Sequence, residues 1–247
     1  NMRLTNEICK ICKREFERGK INVSSAGTLL SFMEKPNFKM SFGFAQYCAE
    51  GNLCGDTIKT INDSRGHMVF IISDGMGKGS RAALDGAMGA GLLSKLLSAG
   101  FGFDSSLKVV NSALLVKSHE ESLATLDCVR VDLFSGKCEF YKAGAPRSYI
   151  VKDDRLTKCE LTSMPAGILR GVEFAKRTTV LNTDDEIIMM SDGVTDVGNE
   201  WLEKFLRLET TLDPNEKAKA ILKIALENSD EKHRDDMSVI VAKMIER

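Results

Sequence analysis

Two segments set an aspartate behind an apolar run in the same way. Val69-Phe70-Ile71-Ile72-Ser73 leads into Asp74-Gly75, and Glu186-Ile187-Ile188-Met189-Met190-Ser191 leads into Asp192-Gly193. A short apolar run bounded by turn residues reads as a strand buried on both faces. The glycine lets the chain turn sharply behind it. Two such carboxylates facing one cavity would bind a hard cation, and hard cations bring phosphate chemistry. Two further positions extend the set: Asp56, after Cys54-Gly55 at a strand start, and Asp235-Asp236, ahead of Met237-Ser238-Val239. Each alone reads as readily as a turn or cap aspartate, because Asp-Gly is a common turn pair. Together at strand ends they mean more. Carboxylates packed side by side repel and lose hydration at high cost, and a pair of divalent ions removes that cost.

Competing chemistries fail on spacing. The Walker phosphate loop needs Gly-Lys followed by Ser or Thr, but Lys78 is followed by Gly79. The dinucleotide fingerprint G-x-G-x-x-G is one residue short in Gly75, Gly77, Gly79, and no βαβ unit follows. Cys9 and Cys12 form a C-x-x-C with no second pair nearby, so four zinc ligands are not supplied and two reduced thiols on a helix are expected. His67, His119 and His233 lie far apart with no partner pattern, and nothing recommends a Ser-His-Asp triad.

The elements that must position the aspartates follow from periodicity. Residues 3–18 carry Leu4, Ile8, Ile11 and Phe16 at helical spacing, with Gly19 as a stop. Residues 19–36 have loop composition. Strands are expected over Lys39–Cys48, Asp56–Asn62, the Asp74 run, Ala124–Leu133, Lys137–Ala143, Ser148–Lys152, Phe174–Leu181, the Asp192 run and Met237–Met244. Hairpin turns are expected at Asp63-Ser64-Arg65-Gly66, Phe134-Ser135-Gly136 and Asp153-Asp154-Arg155. Helices are expected over Gly79–Leu97, Ser105–Lys117, Trp201–Leu206 and Pro214–Glu227, with Pro214 at a first helical position behind Asp213. Strands come in runs and two long helices sit together, which is α+β layering with mostly antiparallel sheets. The domains expected are a helical extension and linker over 1–36 and a catalytic domain over 37–247.

The 247 residues suffice for one large domain or one domain with an appendage. A net charge of -1 argues against a broad basic face for nucleic acid. No run is long and apolar enough to span a bilayer, and no signal peptide is visible. Seven cysteines, an odd number without a regular framework, fit reduced thiols in a cytosolic compartment. The chain opens Asn1-Met2, as an excised fragment with a residual tag residue would, so a larger parent protein is expected.

The surviving motifs resemble one family. Gly55-Asp56, Ser73-Asp74-Gly75-Met76-Gly77-Lys78-Gly79 with Arg81-Ala82, Thr125-Leu126-Asp127, Ser191-Asp192-Gly193 and Asp235-Asp236-Met237 match, in order, the metal-dependent protein phosphatases (PPM, type 2C), and within them the stage II sporulation protein E branch. The similarity runs from about Phe38 to the C-terminus. It implies a four-layer α-β-β-α sandwich of two antiparallel sheets flanked by helices, with two Mn or Mg ions at one end. It implies that Asp74 bridges both ions, that the Gly75 carbonyl ligates one, and that Asp192 and Asp235 complete the second. Asp56 would support the first ion through waters or join a third, and Asp236, often Asn in the family, would stand behind the ligands. Asp74, Asp192 and Asp235 would thus carry catalysis, with hydroxide formed from metal-bound water attacking a phosphoserine or phosphothreonine in line.

The resemblance further implies a phosphorylated anti-sigma-factor antagonist as substrate in sporulation control, homodimerisation, and a bacterial cytoplasmic domain whose parent is membrane-anchored. It implies that helices 79–97 and 105–117 act as a switch that sets metal affinity, with residues 3–18 repacking on them. A stress-response type phosphatase with another phosphoprotein substrate, a silent binding module of the same fold and a metal-dependent small-molecule phosphoesterase are the alternatives. Gly193 to Leu212 leaves little room for the substrate-side flap of larger relatives, which implies an open site.

Overall fold

The computed structural model describes residues 2–51, 53–63, 65–77, 79–117, 123–153, 155–171 and 173–247. Ser64, Lys78, His119 and Asp154, which figure in the readings above, lie outside the described residues. The chain divides into two compact units, Asn1–Asn37 with Arg247, and Phe38–Glu246.

The first unit holds α1 (Met2–Cys12) and an antiparallel hairpin of β1 (Lys20–Ser24) and β2 (Gly27–Ser31). It departs from expectation twice. The helix ends at Cys12, with Lys13 at φ 53° just behind it, so Phe16 is not helical. The segment taken for a loop is the hairpin. Every residue of both strands is exposed, so neither carries the apolar alternation that marks a half-buried strand.

The second unit begins with β3 (Phe38–Tyr47), β4 (Asp56–Asn62) and β5 (His67–Gly75), followed by α2 (Gly79–Ser98) and α3 (Phe103–Lys117). Next come β6 (Ala124–Asp132), β7 (Lys137–Ala143), β8 (Ser148–Lys152), β9 (Arg155–Cys159), β10 (Ala175–Val180) and β11 (Glu186–Met190). The chain closes with α4 (Asp192–Thr195), α5 (Glu200–Leu208), α6 (Pro214–Asn228) and β12 (Met237–Glu246). One sheet runs β10-β7-β6-β5-β4 and the other β3-β12-β11-β8-β9, with antiparallel pairing throughout. The strand β9 has no counterpart in the sequence reading, since only Cys159 in it is buried.

Side-chain alternation assembles the layers. In β5, Val69 and Ile71 face Leu93, Leu97, Leu107 and Leu114 of α2 and α3. Phe70 and Ile72 point the other way, into a core with Ile187 and Met189 of β11 and Ile240 of β12. In β11, Ile188 and Met190 join Val239 and Val241 under Leu202, Leu206, Ala218 and Ile221 of the second helical layer. Successive side chains point to opposite faces, and here both faces are covered. Antiparallel strands therefore read as continuous apolar runs. The order is helices, sheet, sheet, helices, an α+β four-layer sandwich. Asp213 caps α6 by accepting from the Asn215 and Glu216 amides, with Pro214 at the first position.

Candidate metal centre

The first two carboxylates are cross-strand neighbours. β4 pairs with β5 so that Asp56 lies opposite Asp74, and β6 places Thr125 opposite Asp74 on its other side. The Gly75 amide donates to the Gly55 carbonyl at 3.1 Å. The Asp74 amide donates to Thr125 Oγ1 at 3.3 Å. Helix α2 presses on this corner backbone to backbone. A Cβ at Gly86 would lie 2.1 Å from the Gly55 oxygen, and one at Gly75 would lie 1.9 Å from the Ala82 oxygen. Real Cβ atoms do not approach so closely, so this seam needs glycine on both sides.

The other carboxylates come from the second sheet. β11 stops at Met190, and Ser191 takes the N-cap position of α4, so Asp192 is the first residue of a short helix and not the last of a strand. Ser191 Oγ accepts from the Ser238 amide at 2.8 Å, and the Ser191 amide donates to the Ser238 carbonyl at 3.0 Å. A Cβ at Gly193 would lie 2.2 Å from the Asp236 carbonyl oxygen. The Asp192 and Asp235-Asp236 segments are therefore locked together. Asp236 also ties the two sheets: its carboxylate accepts from the amides of Ala49, at 2.7 Å, and Gly55. Asp235 accepts from the Asp236 amide at 2.9 Å.

Asp74, Gly75, Asp192, Asp235 and Asp236 line one cavity of about 250 Å³. Asp56 sits behind its wall, only 4% exposed, with neither carboxylate oxygen hydrogen-bonded. Gly55, Met76, Gly77, Thr125, Gly144 and Pro165 complete the lining. Pro165, behind β9, thus supplies wall on a side that the Gly193–Leu212 reading does not reach. The pair Gly144 and Pro165 was missed because each is informative only through the other. Gly144 has φ 64°, and a Cβ on it would lie 2.7 Å from Pro165 Cγ. Asp127, part of the matching motif, is not in the cavity. It is buried in an ion pair with Lys142 at 2.7 Å, and Ser148 Oγ donates to it at 2.9 Å.

The carboxylates strain against one another. Burial, then the charges of Asp56, Asp192, Asp235 and Asp236, push Asp74 up to about 8. Burial raises Asp56 to about 6. The nearby Ser191 and Ser238 hydroxyls offset part of that without reaching hydrogen-bond geometry, while Asp192 and Asp236 add to it. Burial and Asp235 raise Asp192. No Lys or Arg lines the cavity among the described residues. Hard oxygen donors, a buried carboxylate with two unused oxygens and uncompensated negative charge fit divalent cations of the Mg and Mn type. Among the described residues no three carboxylate, His or Cys side chains already close around a single point.

The stage II sporulation protein E (SpoIIE) family matches residues 64–245. The chain is 29% identical over 222 residues to stage II sporulation protein E of Bacillus subtilis strain 168, covering 87% of this chain and 27% of that protein. It is 32% identical over 200 residues to the Priestia megaterium protein of the same name, covering 78% of this chain and 34% of that one. The chain therefore spans about a third or less of the length of these relatives. A solved structure of the PP2C phosphatase domain and a fragment of the regulatory domain of the cell fate determinant SpoIIE from Bacillus subtilis superposes with a TM-score of 0.84 at 25% identity, covering 98% of this chain and 75% of that one.

Proposed function

The chain belongs to the stage II sporulation protein E family, and from that premise we propose that it is a Mn- or Mg-dependent protein serine/threonine phosphatase domain. The observation that carries the reading is the cavity: carboxylates from both sheets face it, burial and mutual repulsion raise Asp74 and Asp192, and no basic side chain among the described residues lines it. Asp74, Asp192, Asp235 and the Gly75 carbonyl would hold the cations, with Asp56 behind them. Bound cations would offset charge on the phosphoryl group and ease deprotonation of a water. The chain's own residues have other tasks. Thr125 fixes the Asp74 backbone, Asp236 fixes Gly55 ahead of Asp56, and the Ser191–Ser238 pair fixes Asp192. Helix α2 touches the backbone on both strands of this corner, at Gly75 through Ala82 and at Gly55 through Gly86. This supports α2 as an element through which cation affinity is set.

For substrate, we propose a phosphorylated anti-sigma-factor antagonist in sporulation control, with the domain acting as a homodimer and as the cytoplasmic part of a membrane-anchored parent. No helix among the described residues is long and apolar enough to cross a membrane. The test is phosphate release from a phosphoserine protein, titrated with Mn, for wild type and Asp74→Asn. Mn-dependent release lost in the variant is expected. Metal-independent release, or none at any Mn concentration, would reject the reading.

A further inference from the structure

The 163–170 segment carries Met164, Ile168 and Leu169 at 54%, 40% and 54% exposure. Three large apolar side chains within six residues are an unusual load for a surface connection, and this one is not held by burying them. It is held by its backbone and its small residues. Ser163 Oγ donates to the Lys142 carbonyl and accepts from the Gly144 amide. Ala166 exchanges both backbone hydrogen bonds with Ala124, at 2.9 and 3.2 Å. Buried Asn111 of α3 clamps the far end: its Oδ1 accepts from the Gly167 amide at 2.9 Å and its Nδ2 donates to the Leu169 carbonyl at 3.0 Å. Polar anchors fix the chain so that its apolar side chains point to solvent, which is the arrangement of a preformed binding surface.

Position says what the surface meets. Pro165 is part of the wall of the carboxylate cavity, and its chain neighbour Met164, with Leu169, Arg170, Gly171 and Glu173, lines a second depression of about 240 Å³. A polypeptide that brings a phosphorylated residue to the cavity across this wall lays its flanking residues on the segment. The charged residues of that depression, Arg170 and Glu173, are of opposite sign, so what the segment offers a passing chain is its apolar side chains. We infer that Met164, Ile168 and Leu169 form a rigid platform that selects apolar residues flanking the phosphoserine of a protein substrate. This rests on the phosphatase reading above.

The test uses the full chain with Mn and two fluorescent phosphoserine peptides, one flanked by leucines and one by serines. Fluorescence anisotropy on wild type should show the leucine peptide binding about tenfold tighter, the scale of burying one or two apolar side chains in part. Ile168→Ser/Leu169→Ser should close that gap with an unchanged thermal midpoint. Equal affinities in wild type, or a gap that survives in the double variant, would overturn the platform. So would a double variant that shifts self-association in sedimentation yet binds both peptides as wild type does, since the occupant would then be a second copy of the chain. Phosphate release from the same peptides separates the two proposals. Release without an affinity gap rejects the platform alone; a gap without release supports the platform as a recognition surface and rejects the phosphatase.

Discussion

Asp74 holds its proton in the metal-free fold up to about pH 8, against an ordinary value of 3.8. Asp56 behaves likewise up to about pH 6. Between the ordinary and raised values the folded state binds more protons than the unfolded chain, so stability falls as pH rises. In a chelator the thermal midpoint should drop by roughly 5 °C or more between pH 5 and pH 8. Asp74→Asn should flatten that slope, and saturating Mn should abolish it; calorimetry across pH reads all three. In Mn the same variant should lose at least about a hundredfold in turnover, the scale of removing one charge-stabilising group at a reacting centre. A second prediction concerns the buried Lys142–Asp127 pair. Lys142→Met alone strands a buried carboxylate and should cost about 3–5 kcal/mol, whereas Lys142→Met with Asp127→Leu should come much closer to wild type; denaturant titration of both decides. Residue pattern made Asp74 and Asp192 conspicuous, because each follows an apolar run; Asp56 and Asp235 stand ahead of strands and read alone as turn or cap residues, so they joined the set only through the others and the resemblance. Residue identity alone did not set Asp236 apart from its neighbour, which the resemblance did; in the fold its oxygens accept from two amides. Nor could residue identity show that Asp127 spends its charge on a lysine.

At the scale of elements, the seam between α2 and the β4–β5 corner is the sharpest constraint. Gly86→Ala would push a methyl against the Gly55 and Ser73 carbonyls and should cost about 1–3 kcal/mol, with a higher Mn concentration for half-activity. Gly91→Ala on the same helix meets nothing within 4 Å and should be neutral or stabilise by up to about 1 kcal/mol. Thermal melts and Mn titrations of the two variants, side by side, isolate the seam from helix propensity. Strands β4, β5, β7, β8 and β11 were readable because turn residues bound clear apolar or alternating runs. β1, β2 and β9 were not, because their side chains are mostly exposed and a strand held by ladder hydrogen bonds alone leaves no hydrophobic period to detect. The 163–170 wall escaped for a related reason. Its anchors are Asn111, Ser163 and Ala124, partners that only the folded chain brings together.

At the scale of the whole molecule, the layering was legible because β5, β11 and β12 are apolar on both sides, which only covered sheets require. The hairpin of β1 and β2 was less so, since residues 19–36 carry loop-like composition. If the first unit tunes the cation site, a chain beginning at Phe38 should shift the Mn concentration for half-activity by severalfold; an unchanged Mn titration would assign those residues no part in it. The pairing of β4 with β5 carries a last consequence. Asp56 and Asp74 are matched across one antiparallel ladder, and side chains on a strand alternate faces. A slip of one residue would turn every side chain of β5 over, sending Phe70 and Ile72 toward the helices and Asp74 away from the cavity. A one-residue slip therefore cannot keep the core and lose only the chemistry. The apolar residues that hold the sandwich closed thereby also proofread the placement of its charges against the smallest error of register.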